Sequence, residues 1–249
     1  MPSLRFAIVS CAIVLFASTG DVAYAQTATA EKPKPAEAKP APPVDMAAIF
    51  KLHWNNRVTA FRQQNEQLQF VVLLGDSITE GFEAAKYFPG RRVLNRGISA
   101  DMIGNDLPAD DNRGVLKRLD ESVFNCAATD VFLMIGINDL GSGHTPEVME
   151  QGYRDILQQI KTKTPQVRVH VQSLLPTRDR YAKHNANVLD FNNRLKKLAE
   201  EFGYDYVDVH ALMVDDKGEL NADYTGDGLH LNEGAYKAWQ AEVARLMNW

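Results

Sequence analysis

Four short stretches of this chain carry, between them, the parts of an acyl-transfer centre. Gly75-Asp76-Ser77 offers a hydroxyl nucleophile, and Asn95-Arg96-Gly97 a backbone amide. Gly136-Ile137-Asn138-Asp139 offers a side-chain amide, and Asp227-Gly228-Leu229-His230 an imidazole with a carboxylate three residues before it. A serine hydroxyl is a weak nucleophile until a base takes its proton. A neutral imidazole is such a base, and a carboxylate on its Nδ1 fixes the tautomer and stabilises the charged ring. Amide N–H groups are the donors that a developing oxyanion needs. The residue types nominate Ser77, His230 and Asp227 as the reacting set. Ser77, Gly97 and Asn138 are the matching oxyanion donors.

Taken singly, each stretch has a plainer reading. Ser77 can be a helix cap, and its glycine-bearing loop can cradle a phosphate, as in flavodoxin-like proteins. His230 can be a structural or solvated ring, and Asn138 a turn residue. Asp208 and His210 form a rival acid–imidazole pair, though two-residue spacing at a strand end suits a helix start better. The chemical reading gains from convergence, which depends on the elements that carry the four stretches.

Those elements alternate. Phe70-Val71-Val72-Leu73-Leu74 and Val131-Phe132-Leu133-Met134-Ile135 are continuous apolar runs of strand length, each ending in glycine. Arg92-Val93-Leu94, the alternating Val167, Val169 and Val171, and 204–209 complete five expected strands. Helical stripes lie around them: Phe50, Trp54, Val58 and Phe61; Met149, Tyr153, Ile156 and Ile160; Val188, Phe191, Leu195, Leu198 and Phe202; Tyr236, Trp239, Val243 and Leu246. Thr145-Pro146 and Asn232 mark helix starts, and Gly203 a helix end. Near-continuous apolar strands between amphipathic helices predict an α/β fold, a three-layer α/β/α sandwich on a five-stranded parallel sheet. In such sheets ligands bind beyond the carboxyl ends of the strands, which is where all four stretches fall.

These blocks resemble those of the GDSL-type, or SGNH, serine hydrolases. Ser77, Gly97, Asn138 and His230 occur in the family's order, from about Phe70 to the C-terminus. The wording Asn95-Arg96-Gly97-Ile98-Ser99 is similar to the platelet-activating-factor-acetylhydrolase-like branch. The resemblance implies a flavodoxin-like sheet and a serine esterase with no cofactor. It also implies small acyl esters as substrates, with acetyl groups on carbohydrate favoured here. The same site is compatible with acyl transfer to a sugar hydroxyl, with lysophospholipase or thioesterase action, or with a non-catalytic carbohydrate-binding relative. One departure is an acidic insertion over 105–112. Its Asp106, Asp110 and Asp111, together with Asp76, are candidate substrate-facing groups, expected to disfavour anionic esters.

The rest of the chain sets limits. With 249 residues there is room for one sizeable α/β domain and a tail. A net charge of −5 gives no basic stripe for nucleic acid. No GxSxG elbow occurs, nor an HExxH or Cys/His cluster for metal, nor a GxGxxG after a strand. Arg5, an apolar run over 6–17 and Ala23-Tyr24-Ala25 read as a signal peptide over 1–25, removed to leave a periplasmic or secreted protein without an integral membrane segment. Residues 26–44, with five prolines among Ala, Lys and Glu, read as a disordered spacer. The folded domain is expected over 45–249. Cys126 then remains as the sole cysteine, a buried structural thiol.

Overall fold

The computed structural model describes residues 45–65, 70–109 and 111–249. The expected signal peptide and spacer lie outside the described residues, as does Asp110. Among the described residues no helix is long and apolar enough to cross a membrane.

Strands β1 (Val71–Gly75) and β3 (Asp130–Met134) are buried from end to end, as their unbroken apolar runs require of central strands. With β2 (Val93–Gly97), β4 (Arg168–Gln172) and β5 (Asp205–Val207) they form a sheet in the order β2-β1-β3-β4-β5, parallel throughout. That is the flavodoxin-like doubly wound order, with its switch point between β1 and β3. Register does the positioning. Gly75 stands level with Gly97 on one side and with Met134 on the other. The loops that follow these three ends therefore leave the sheet side by side.

β5 is shorter than the 204–209 run suggested. The Val209 N–H turns back to the Val207 carbonyl (3.0 Å), and Asp208 Oδ1 accepts from Ala211 N (3.1 Å). Asp208 is thus a turn cap, and its spacing to His210 has a local explanation.

The helices are α1 (Met46–Gln64), α2 (Ser77–Glu80), α3 (Ala84–Tyr87), α4 (Ile137–Gly141), α5 (Pro146–Lys163), α6 (Asn185–Phe202) and α7 (Glu233–Met247). The expected stripes of α5 and α6 are buried, and these two helices pack together. Helix α7 buries Tyr236 and Trp239 against Phe82, which links it to α2 and α3. Asn232 caps α7 through Gly234 N and Ala235 N. Thr145 occupies the cap position of α5 without a side-chain cap bond, which leaves Pro146 as the start signal. Helix α1 forms a small core of its own, Trp54, Val58 and Phe61 closing on Ile98 just beyond β2. Cys126 is buried and free, and burial raises its thiol pKa.

Candidate active site

Ser77 is the first residue of α2. Asp76, directly after β1, caps that helix by accepting from Ile78 N at 2.9 Å. The cap bends the chain sharply out of the sheet and leaves the Ser77 hydroxyl facing the loop before α7. His230 Nε2 lies 3.0 Å from Ser77 Oγ, and His230 Nδ1 lies 2.7 Å from Asp227 Oδ2. A serine, an imidazole and a carboxylate 150 residues apart in sequence are one hydrogen-bonded chain.

The loop carrying the last two residues is tied to itself. Asp227 Oδ1 accepts from Leu229 N (2.9 Å) and His230 N (2.8 Å), while Thr225 Oγ1 donates to the His230 carbonyl (2.8 Å). Gly228 makes the fold-back possible at φ +85°, where a Cβ would sit 2.6 Å from the Arg178 carbonyl. Arg178 N in turn donates to the Gly228 carbonyl (2.8 Å). Burial alone would raise the Asp227 pKa. The bonds from the His230 ring and from two backbone N–H groups outweigh it and hold the carboxylate at about 2. Asp227 therefore stays ionised, as a partner for an imidazolium must.

The Gly97 amide, expected as an oxyanion donor, has a local acceptor of its own. Its N–H donates to Asn95 Oδ1 (2.8 Å), so it is already engaged. Close approach explains the glycine, because a Cβ here would stand 2.1 Å from Glu80 N in α2. Three residues on, Ala100 is held at φ +61°, a sparsely populated region for any side chain. Nothing among the described residues accepts from the Ala100 N–H. Asn138, at the start of α4, donates one Nδ2 hydrogen to the Asp101 carbonyl (2.9 Å) and so sits against this same turn. Its second hydrogen remains available.

A buried ion pair holds the turn from behind. Arg118 Nε and Asp101 Oδ2 are 2.8 Å apart, with both side chains fully inaccessible. The same guanidinium donates to the carbonyls of Gly75 and Arg96 and to Ser122 Oγ, each at 2.9 Å. One side chain thus joins the ends of β1 and β2 to the Ala100–Asp101 turn. On the other oxygen Asp101 accepts from Gly114 N (2.6 Å) and Trp54 Nε1 (3.2 Å). Helix α1 adds Arg57, which donates to the Gly97 carbonyl (2.8 Å), and His53, within 3.0 Å of Glu80. No motif signalled Arg118 or Arg57; α1 was legible as a helix from its stripe, but not as a support for this turn. Ala100 carries no signal at all, since nothing in an alanine announces a positive φ.

Among the candidate substrate-facing aspartates, the three that are described, Asp76, Asp106 and Asp111, do not assemble. Asp76 is buried under the Ser77 turn, and burial raises its carboxyl to about 7. Asp111 accepts from Arg113 N and from its guanidinium, bonds that lower its pKa. Arg113 then reaches the Ala100 carbonyl (3.2 Å), so this part of the insertion braces the turn instead of gating a pocket. Asp106 is exposed. The insertion packs at the start of α1, sharing a hollow with Met46 and Phe50. A fifth acid, Asp139, is buried beside Asn138 and raised by burial to about 8; it accepts from Ile103 N (3.2 Å).

Two spaces are lined by sequence neighbours of Ser77 and His230, though by neither residue itself. One is an apolar hollow of about 10 Å³ between Ile78, Met134, Ile137, Leu174 and Leu229. The other is an open cavity of about 260 Å³ that runs from Asn138 and Leu229 to Arg180, Lys183 and His184.

The sequence profile of the GDSL-like lipase/acylhydrolase family matches residues 73–238, well over half of the chain. The chain belongs to that family. As a GDSL-like acylhydrolase it has solved relatives of the same fold. A protein provisionally described as a platelet activating factor, from Streptococcus pneumoniae, superposes with a TM-score of 0.72 at 23% identity, covering 81% of this chain and 96% of its own. A GDSL-like lipase from Bacteroides thetaiotaomicron gives 0.64 at 20% identity, over 81% and 98%. A carbohydrate acetylesterase from Sinorhizobium meliloti gives 0.59 at 18%, over 73% and 99%. Among curated proteins, an N-acylneuraminate cytidylyltransferase from Escherichia coli is 27% identical over 118 residues, 47% of this chain and 28% of that one. The chain thus spans less than a third of that relative's length. Family membership supports the hydrolysis of ester bonds.

Proposed function

We propose that the protein is an exported serine esterase that removes short acyl groups, acetyl foremost, from carbohydrate or similar alcohols. The observation that carries this reading is the Ser77–His230–Asp227 chain, with contacts of 3.0 and 2.7 Å. Ser77 Oγ attacks the ester carbonyl while His230 Nε2 takes its proton, and the ionised Asp227 holds Nδ1 and stabilises the imidazolium. The tetrahedral oxyanion receives the free hydrogen of Asn138 Nδ2, the Ala100 N–H in place of Gly97, and the Ser77 N–H. The last opens α2, where no intrahelical acceptor exists. His230 then returns the proton to the leaving alcohol, and water, activated by the same imidazole, frees the acyl group.

A short acyl group is favoured by the apolar hollow, whose roughly 10 Å³ is about one water's worth of space and so fits little more than a methyl. The Sinorhizobium neighbour, a carbohydrate acetylesterase, is consistent with an acetylated sugar. Replacing Ser77 by Ala tests the reading. The variant should fold normally and lose hydrolysis of 4-nitrophenyl acetate. Retention of near-native activity by the folded variant would show that the nucleophile lies elsewhere.

A further inference from the structure

The cavity beside Asn138 has one wall of unusual character. Its floor is Ile137, Gly141 and Leu229, but the segment facing them is Arg180, Tyr181, Lys183 and His184. In a chain with 27 basic and 32 acidic residues, most surface arginines are matched with carboxylates. Arg154 has Glu201, Arg194 has Glu147 and Glu150, and the neighbouring Arg178 has Asp215 and Glu219. Arg180 and Lys183 have no carboxylate within ion-pair distance among the described residues. Arg180 lies over the Tyr181 ring at 4.7 Å and donates to its hydroxyl (2.7 Å), which orients the guanidinium and leaves other N–H groups free. The one acid of the segment, Asp179, points its carboxylate toward Gly228 instead.

This wall is built into the site. Asp179 turns the chain at φ +55°. Thr177 Oγ1 donates to the Tyr181 carbonyl (2.7 Å), and Asn185 Oδ1 accepts from Thr177 N (2.8 Å). On the other side the Arg178–Gly228 bond fastens the segment to the loop that carries His230. The backbone that carries the two cations is thus tied to the loop of His230, beside a cavity that begins at Asn138.

We propose that this cavity is the alcohol-side subsite and that Arg180 and Lys183 there receive a carboxylate of the substrate, so that the preferred ester is an acylated acidic alcohol such as a sugar acid. This rests on the reading of Ser77 and His230 given above. The apolar hollow takes the acyl methyl, which leaves the open, cationic space to the leaving group. A planar guanidinium beside an ammonium suits a carboxylate, since the fork matches its two oxygens and the second charge is compact. The structure thereby reverses the preference for neutral esters that the acidic insertion suggested.

The test compares 4-acetoxybenzoate, whose leaving group carries the carboxylate, with its methyl ester, in which the charge is masked. A third substrate, mono-4-nitrophenyl succinate, carries the charge on the acyl side. In R180Q/K183Q, kcat/KM for 4-acetoxybenzoate should fall about 5- to 10-fold, mainly through KM, as expected for two partly exposed ion pairs. The methyl ester should stay within about twofold, which also shows that the variant is folded. The difference should shrink in 0.5 M NaCl, where screening reaches within a few ångströms. Equal loss on both acetoxybenzoates, or no loss on either, overturns the proposal, and so does a loss confined to the succinate. Failure of the Ser77 reading is distinguishable, because S77A would then still hydrolyse the methyl ester.

Discussion

Replacing Arg118 by Met removes the one side chain that ties the ends of β1 and β2 to the Ala100–Asp101 turn. It leaves the Asp101 carboxylate fully buried with the Gly114 N–H and the Trp54 Nε1–H as its hydrogen-bond donors among the described residues, and with Arg113 as the nearby cation. Solvent screening gives no relief where both side chains are inaccessible. Breaking such a pair costs about 3–5 kcal/mol. Against a total stability of about 5–15 kcal/mol, the variant should still fold. In a domain of this size each kcal/mol is about 2–4 °C, so the melting temperature should drop by about 6–20 °C. Urea unfolding followed by tryptophan fluorescence gives the free energy directly. The companion variant Arg118→Met/Asp101→Asn removes the stranded charge while keeping an oxygen for Gly114 and Trp54, and should recover part of the loss. Neither variant restores the tie to the Gly75 and Arg96 carbonyls, so kcat for 4-nitrophenyl acetate should stay low in both. A loss under about 1 kcal/mol in Arg118→Met, or no recovery in the double variant, would refute this account of what holds the turn.

Asn138→Ala should lower kcat by about 10²–10³ with little change in KM, as for other oxyanion donors; a change mainly in KM would make Asn138 a substrate-positioning residue. Asp139 should make the protein less stable as pH rises. Its folded pKa is about 8, so the native state keeps a proton that the unfolded chain releases above about 4. Stability must fall between those values and level off above them, with Asp76, raised to about 7, adding to the slope. Urea midpoints at pH 5 and pH 8 should therefore differ less in Asp139→Asn than in the parent, and an undiminished slope would count against the assignment. N-terminal sequencing of protein recovered from a secreting host should begin at Gln26; an intact Met1 would contradict export by signal cleavage.

The sheet was legible in the sequence because central parallel strands are buried on both faces, and 70–74 and 131–135 show that as unbroken apolar runs. The hydrogen-bonded chain of Ser77, His230 and Asp227 was legible for a different reason. Ser77 and the Asp227–His230 pair are local motifs at strand and loop ends, and a carboxylate three residues before an imidazole needs only one glycine at positive φ to close on it. The turn at Ala100 and Asp101, proposed to receive the oxyanion, was not legible in the same way. Gly97 is the conspicuous residue there, but it is glycine because α2 passes within contact of it. The strained position belongs to an alanine, whose conformation is imposed by Arg118, Asp101 and Arg113 from distant parts of the chain. Asp111 of the insertion was no more legible, since a carboxylate near a site in sequence says nothing of Arg113, two residues away, that takes it up. Arg180 and Lys183 left no motif at all; their meaning comes from the carboxylates that are not beside them.

Helix α1 makes the N-terminal border of the domain a working part. The family match begins at residue 73, yet Trp54 and Arg57 hold the Asp101 carboxylate and the Gly97 carbonyl. A recombination joint placed at the family border would carry over Ser77, Asn138 and His230 and leave those two acceptors facing water. Such a chimera would inherit every signature residue and still lack a firm turn at Ala100 and Asp101. The transplantable piece is longer than the recognisable one, and it starts at Asp45, whose carboxylate already caps the helix through Ala48 N.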